Sequence, residues 1–353
     1  MKKNYLLIIV LALTLLLASC SGKKKLVLYL PNDYILDDVI IEFEKEHNVR
    51  VNKRTFNNNE MALGFVKTKS YDLVIPSDYA IEELAVEGYL MEIDYNEILD
   101  ADVEFAEGLD LFLDQLDEEG FNFRNYAVPY FWGSVGILYK HDNVSLEQME
   151  KEGYNILADP KLETIIYDSP RDAVMAGLLT NDVLLKDATQ ADINKSRDWL
   201  VNAFNQKTTS RKSDEILDEL LAKSRYDAVM AYSGDAAYIM SENEDYSFYI
   251  PHDTNLWADG FVIPTNAKEP DLAKDFIRHM LTYDVALDNT IEIGYSAARK
   301  DVFEEMISED GDYGEDRLRN AYESKILDFQ VFRFDNKLKL LLDKAWENAL
   351  AAQ

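Results

Sequence analysis

The stretch Asn255-Leu-Trp-Ala-Asp-Gly-Phe-Val-Ile-Pro264 decides how this chain reads. A large aromatic residue, Trp257, stands two residues before a carboxylate, Asp259. The small residues Ala258 and Gly260 bracket that carboxylate and predict a turn, with a short apolar strand over 261–263 behind it. At a strand mouth, Trp257 offers a π-face to a cation and Asp259 a charge-assisted acceptor for an ammonium. A rim tryptophan beside a solvated turn aspartate fits the same residues, so the flanking chain has to arbitrate.

On the N-terminal side, 26–30 reads as a buried strand bounded by Pro31-Asn32-Asp33. Leu36, Val39, Ile40 and Phe43 fall at i, i+3, i+4, i+7 and predict a helix. A strand over 49–54, a helix over 60–69 and a strand over 72–75 follow, the last ending at Pro76-Ser77. Further on, strands over 135–139, 164–167 and 226–231 alternate with helices over 190–206 and 213–223. Helices run through 270–292, and past Tyr295 the chain is helical and charged. This alternation predicts a mostly parallel α/β sheet with right-handed crossovers. In such sheets ligands bind beyond the carboxyl ends of the strands. That rule selects Asn32, Asp33 and Tyr34 after the first strand, then Ser77, Asp78 and Tyr79 after the third. The strand over 164–167 ends in Asp168-Ser169-Pro170-Arg171-Asp172, a helix start with a capping residue and an early proline, and the exit Tyr232-Ser233-Gly234-Asp235 again carries an aromatic and an acid.

With 353 residues the chain exceeds one typical core and implies two lobes. Residues 1–19 are a signal peptide: Lys2 and Lys3 precede an apolar run over 5–17 that is short for a membrane span. The junction Leu17-Ala18-Ser19-Cys20 resembles a bacterial lipobox, which makes Cys20 the lipidated first mature residue and 20–25 a tether. Cys20 is the only cysteine, so disulfides within the chain and cysteine metal sites are excluded. Residues 1–19 hold two lysines and no acids, so the net charge of −30 becomes −30 − 2 = −32 after cleavage. That acidity argues against nucleic acid as partner and favours approach of polycations.

Catalytic signatures are missing. There is no Gly-x-Ser-x-Gly elbow and no phosphate-cradling loop. His47, His141, His252 and His279 are scattered without zinc-site spacing. What recurs instead is an aromatic beside an acid: Asp33/Tyr34, Asp78/Tyr79, Tyr232/Asp235 and Trp257/Asp259. Converging on one cleft, these pairs make an aromatic box with carboxylates, which suits an elongated organic cation. Rings contribute about 0.5–2 kcal/mol per ammonium, whereas a buried unpaired charge costs several kcal/mol. Carboxylates are therefore obligatory. Asp78 reads as a rim charge and Asp259 as the central one.

Several segments together resemble the polyamine (spermidine/putrescine) substrate-binding proteins of bacterial ABC importers. They are Tyr71-Asp-Leu-Val-Ile-Pro-Ser77, Val128-Pro-Tyr-Phe-Trp-Gly133, Trp257-Ala-Asp259 leading into Val262-Ile-Pro-Thr-Asn-Ala267, and Ile293-Gly-Tyr295. The resemblance implies a type II-like periplasmic-binding-protein fold, α/β in class, with two lobes closing about crossing hinge strands. It implies one lobe from 26–133 plus 258–303 and another from 134–257 plus 304–353, and no cofactor or metal. It also implies Tyr34, Tyr79 and Tyr295 as cleft walls, Ser77 as a polar contact, and Asp172 as an acid for a terminal amine. Tyr232 stands where the family usually has tryptophan, Trp257 and Asp259 match the central ring and carboxylate, and Gln330 matches a distal polar contact. The implied partners are a polyamine, an ABC permease and, through Cys20, a membrane. The chain departs from the pattern at Pro31, where the family commonly has tryptophan, and at Ser169, where spermidine-preferring relatives carry an acid. Asp235 instead resembles putrescine-preferring relatives. A receptor for another small ligand, and a sensor lipoprotein that kept the fold, fit the same residues.

Overall fold

The computed structural model describes residues 23–351, apart from 212, 224 and 325–327. The signal peptide and Cys20 lie outside the described residues. Among the described residues ten strands form the frame: β1 (Lys25–Pro31), β2 (Arg50–Phe56), β3 (Leu73–Val74), β4 (Ala127–Lys140), β5 (Thr164–Tyr167), β6 (Thr208–Arg211), β7 (Ala228–Tyr232), β8 (Tyr246–Tyr249), β9 (Leu256–Val262) and β10 (Ser296–Ala297). Their order is β2-β1-β3-β9-β4-β7-β5-β6, with β8 and β10 both pairing with β4.

Local patterning explains the outer strands. In β1, Leu26, Leu28 and Leu30 alternate onto one face. There they meet Val39, Ile40 and Phe43, the 3.6-residue stripe of the helix Asp37–Glu46. Tyr29 points the other way and stacks on Tyr71 at 4.3 Å.

β4 is the axis of the molecule. Its fourteen residues are buried except for the last, and at ~3.3 Å per residue they reach roughly 45 Å. From Ala127 to Ser134 it pairs with β9, and from Val135 to Tyr139 with β7. One strand thus belongs to both halves of the sheet, and β9 lies against it at the changeover. A third passage follows β10: Ala298 packs with the first half, whereas Val302 and Met306 pack with Leu138 and Ile165 of the second.

Two expectations are corrected here. The ladders β1–β2, β1–β3, β5–β6 and β5–β7 are parallel, but those of β4 with β7, β8, β9 and β10, and of β3 with β9, are antiparallel. Each half keeps a parallel flank, while the strands running between halves enter it from the opposite end. Nor do Ala258 and Gly260 make a turn. All seven residues of β9 are buried and the strand is paired along its length, Ala258 with Trp132 and Asp259 with Phe131. Its partner carries the irregularity: the register shifts between Pro129 and Phe131, a β-bulge that leaves Tyr130 over.

Candidate functional site

The site is built outward from β9. Successive strand residues point to opposite faces, so Trp257 and Asp259 share one. Asp259 is 6% exposed. Its Oδ2 accepts a 2.5 Å hydrogen bond from the Tyr34 hydroxyl, while its Oδ1 is buried without a partner. Burial pushes this carboxyl up to about 6, against the lowering effect of the neighbouring Ser77 and Tyr34 hydroxyls. The bulged Tyr130 serves as a prop: its hydroxyl donates to the Tyr34 carbonyl at 2.8 Å and accepts from Asn289 at 2.6 Å.

Trp257 stands edge-to-face with two tyrosines, Tyr232 and Tyr295, both 5.6 Å away between ring centroids. Tyr295 meets Tyr34 at 5.8 Å and Tyr232 meets Tyr167 at 4.8 Å, which closes the wall. Tyr295 is set by two glycines. Gly294 caps the helix Tyr283–Ile293 with a left-handed φ of 85°. Gly234 lies so close that a Cβ there would stand 2.2 Å from the Tyr295 ring.

The second half brings two more acids, each from the first turn of a helix that follows a strand. The helix Pro170–Leu179 starts after β5 with Ser169 as its cap and Pro170 in its first turn. That start buries Asp172, which is 3% exposed. Its Oδ2 accepts from the Tyr232 hydroxyl at 3.1 Å and its Oδ1 has no partner. Burial raises this carboxyl to about 6. Asp235, in the helix Ser233–Glu242 after β7, accepts from the Tyr295 hydroxyl at 2.7 Å.

Tyr34, Asp172, Tyr232, Asp235, Trp257, Asp259 and Tyr295 therefore form one connected cluster, and the other expected residues stand differently. Ser77 forms a bridge with Asp259, and its hydroxyl accepts from Asn59 at 2.9 Å. One face of the Tyr79 ring is covered by the Arg171 guanidinium, 4.0 Å from its centroid. Asp33 is exposed with φ 50°, and no hydrogen bond joins it to the cluster. Gln330 is spent on the frame: its Oε1 accepts from the Leu185 N–H at 2.9 Å and its Nε2 donates to the Asp253 carbonyl at 2.6 Å. Asp78 is not a rim charge. It is 2% exposed and accepts from the N–H groups of Ala258 and Tyr79. Burial lifts its carboxyl to about 8.

Sequence reasoning passed over Arg171, Asn59, Tyr130 and Tyr167. Only Tyr167 carried a signal, as the last residue of β5. Among the described residues no three His, Cys, Asp or Glu side chains come together to hold a metal, and no described helix is long and apolar enough to cross a membrane.

Chemically, the cluster is a buried aromatic enclosure in which two carboxylates each present an unpaired oxygen. A buried anion without a partner is costly, and a cation removes that cost. The model for bacterial extracellular solute-binding proteins matches residues 38–315. The chain belongs to this family. As a solute-binding protein it resembles the spermidine/putrescine-binding periplasmic protein of Salmonella typhimurium, with 25% identity over 310 residues, 82% of this chain and 83% of the relative. It is 27% identical over 303 residues to the putrescine-binding periplasmic protein of Escherichia coli, covering 79% of each. A Listeria monocytogenes structure assigned to a spermidine/putrescine ABC transporter superposes with a TM-score of 0.77 at 26% identity, over 94% of this chain and 100% of that one. The fold is the two-lobed type II periplasmic-binding-protein fold, and the protein, like these relatives, binds a solute rather than turning one over.

Proposed function

We propose that this solute-binding protein is the polyamine receptor of an ABC importer, exported and held to a membrane through lipidated Cys20. Its ligand lies between two lobes, 26–133 plus 258–303 and 134–257 plus 304–353, and is handed to a permease when they part. The observation that carries this reading is the pair of vacant, buried carboxylate oxygens, Asp259 Oδ1 and Asp172 Oδ1, among the rings of Tyr34, Trp257, Tyr232 and Tyr295. Two acceptors on different elements, β9 and the helix Pro170–Leu179, suit a chain bearing an ammonium near each end, and the rings pack its methylenes. The polyamine names of the relatives point the same way.

Calorimetry of the purified protein against putrescine, cadaverine, spermidine and spermine tests it. At least one dissociation constant in the micromolar range or tighter, about −8 kcal/mol, is expected. Silence on all four overturns the reading.

A further inference from the structure

We propose that Arg171 is a built-in third cation of the binding box and restricts the site to ligands with two ammonium groups. The inference deepens the polyamine reading and rests on it. Arg171 sits in the first turn of the helix Pro170–Leu179, next to Asp172, and is 4% exposed. Its guanidinium covers the Tyr79 ring at 4.0 Å, reaching from the second half of the sheet to a helix of the first. It therefore closes that ring face to a further ammonium.

Counting the acceptors leads to the same valence. Asp78 has both oxygens engaged by backbone N–H groups, so it offers none. Asp235 accepts from Tyr295. Asp259 and Asp172 each keep one buried oxygen without a partner. Those two oxygens match two ammonium groups, and the third positive charge is already in place on Arg171. Its Nε and Nη2 lack hydrogen-bond partners, so a third ammonium entering beside it meets like charge in a low-dielectric enclosure.

The test is the ratio of putrescine to spermidine affinity, measured by calorimetry on the full mature chain at fixed pH and salt. The wild type is expected to favour putrescine by about tenfold or more, and Arg171→Met to shift the ratio toward spermidine by at least about tenfold. Arg171→Lys, which restores the charge, is expected to bring back the preference for putrescine. A merely structural Arg171 would lower both affinities together and leave the ratio alone. A wild type that prefers spermidine, or a ratio unmoved in Arg171→Met, overturns the proposal while leaving the polyamine reading intact. Binding of neither amine by the wild type overturns both. If Arg171→Met shows no cooperative melting transition, Arg171→Gln, with its polar head retained, carries the same comparison.

Discussion

Asp78 and Asp259 lie on adjoining segments of the first half, and both are nearly inaccessible to water. Burial lifts both carboxyls, to about 8 and about 6. Their work is nevertheless opposite. Asp78 spends its oxygens on the Ala258 N–H at 3.0 Å and the Tyr79 N–H at 2.5 Å, stitching β9 to the helix Asp78–Val86. Asp259 gives one oxygen to Tyr34 and leaves the other empty. Burial and a raised pKa do not by themselves mark a ligand contact; what separates the two is the unpartnered Asp259 oxygen among the rings. The largest expected effect follows from this contrast. Asp259→Asn leaves a buried ammonium without its counter-charge, a loss of about 3–5 kcal/mol, or a hundredfold and more in affinity. Asp78→Asn puts an NH₂ against a backbone donor and is expected to cost about 1–3 kcal/mol of stability, with less than about tenfold lost in affinity. Calorimetry and denaturant melts on both variants read the two quantities. Equal losses of affinity would erase the distinction.

pH sharpens the same contrast with a smaller effect. Asp172 and Asp259 titrate near 6 in the free protein and must be ionised to hold an ammonium. Affinity is expected to be flat above about pH 7 and, at pH 5, weaker by roughly ten- to a hundredfold as protons compete at one or both carboxylates. Stability runs the other way. The folded pKa values lie above the ordinary value of 3.8. Between the two values the native state binds more protons than the unfolded chain, so stability falls as pH rises. Melting temperatures of the free protein are therefore expected to rise from pH 8 to pH 5. Asp78→Asn should flatten the part of that slope between pH 6 and 8. A slope of the opposite sign, or one indifferent to Asp78, would sink the assignment.

The contrast also explains what was legible in the sequence. The apolar run 26–30 bounded by Pro31-Asn32-Asp33 and the i, i+3, i+4, i+7 stripe at Leu36 placed β1 and its helix, because burial writes a run or a period into the chain. Asp172 came only from the family resemblance, whereas the strand-exit rule reached Tyr34, Tyr232 and Asp235, because α/β topology puts those exits on one side of the sheet. It failed where a residue type serves two purposes. Ala258 and Gly260 suit a turn and suit a tightly packed ladder, and only the antiparallel partner β4 decides between them. Asp78 and Asp259 are the same residue near the same kind of exit, and the Ala258 N–H that claims Asp78 lies 180 positions away. Arg171 was hidden by its setting, since an arginine in a first helical turn reads as surface until Tyr79 is seen beneath it. Gln330 matched a family position, but its amide closes the Leu185 and Asp253 backbone.

The smallest effect belongs to Asp33, an acid at a strand exit with none of the enclosure around Asp259. It is exposed, in a left-handed conformation (φ 50°) that asparagine also accepts readily. Asp33→Asn thus removes a charge with little backbone strain, which makes it a clean probe of charge at the rim. A solvated carboxylate is screened over a Debye length of about 8 Å at physiological salt and contributes little to a specific pair. The change is expected to lower polyamine affinity by less than about twofold at that salt and somewhat more at low salt, through slower capture of a cation. Calorimetry at two ionic strengths measures this. A loss approaching that of Asp259→Asn, insensitive to salt, would mean that the loop after β1 turns its carboxylate inward onto the bound ligand, and that the box holds a third anionic contact.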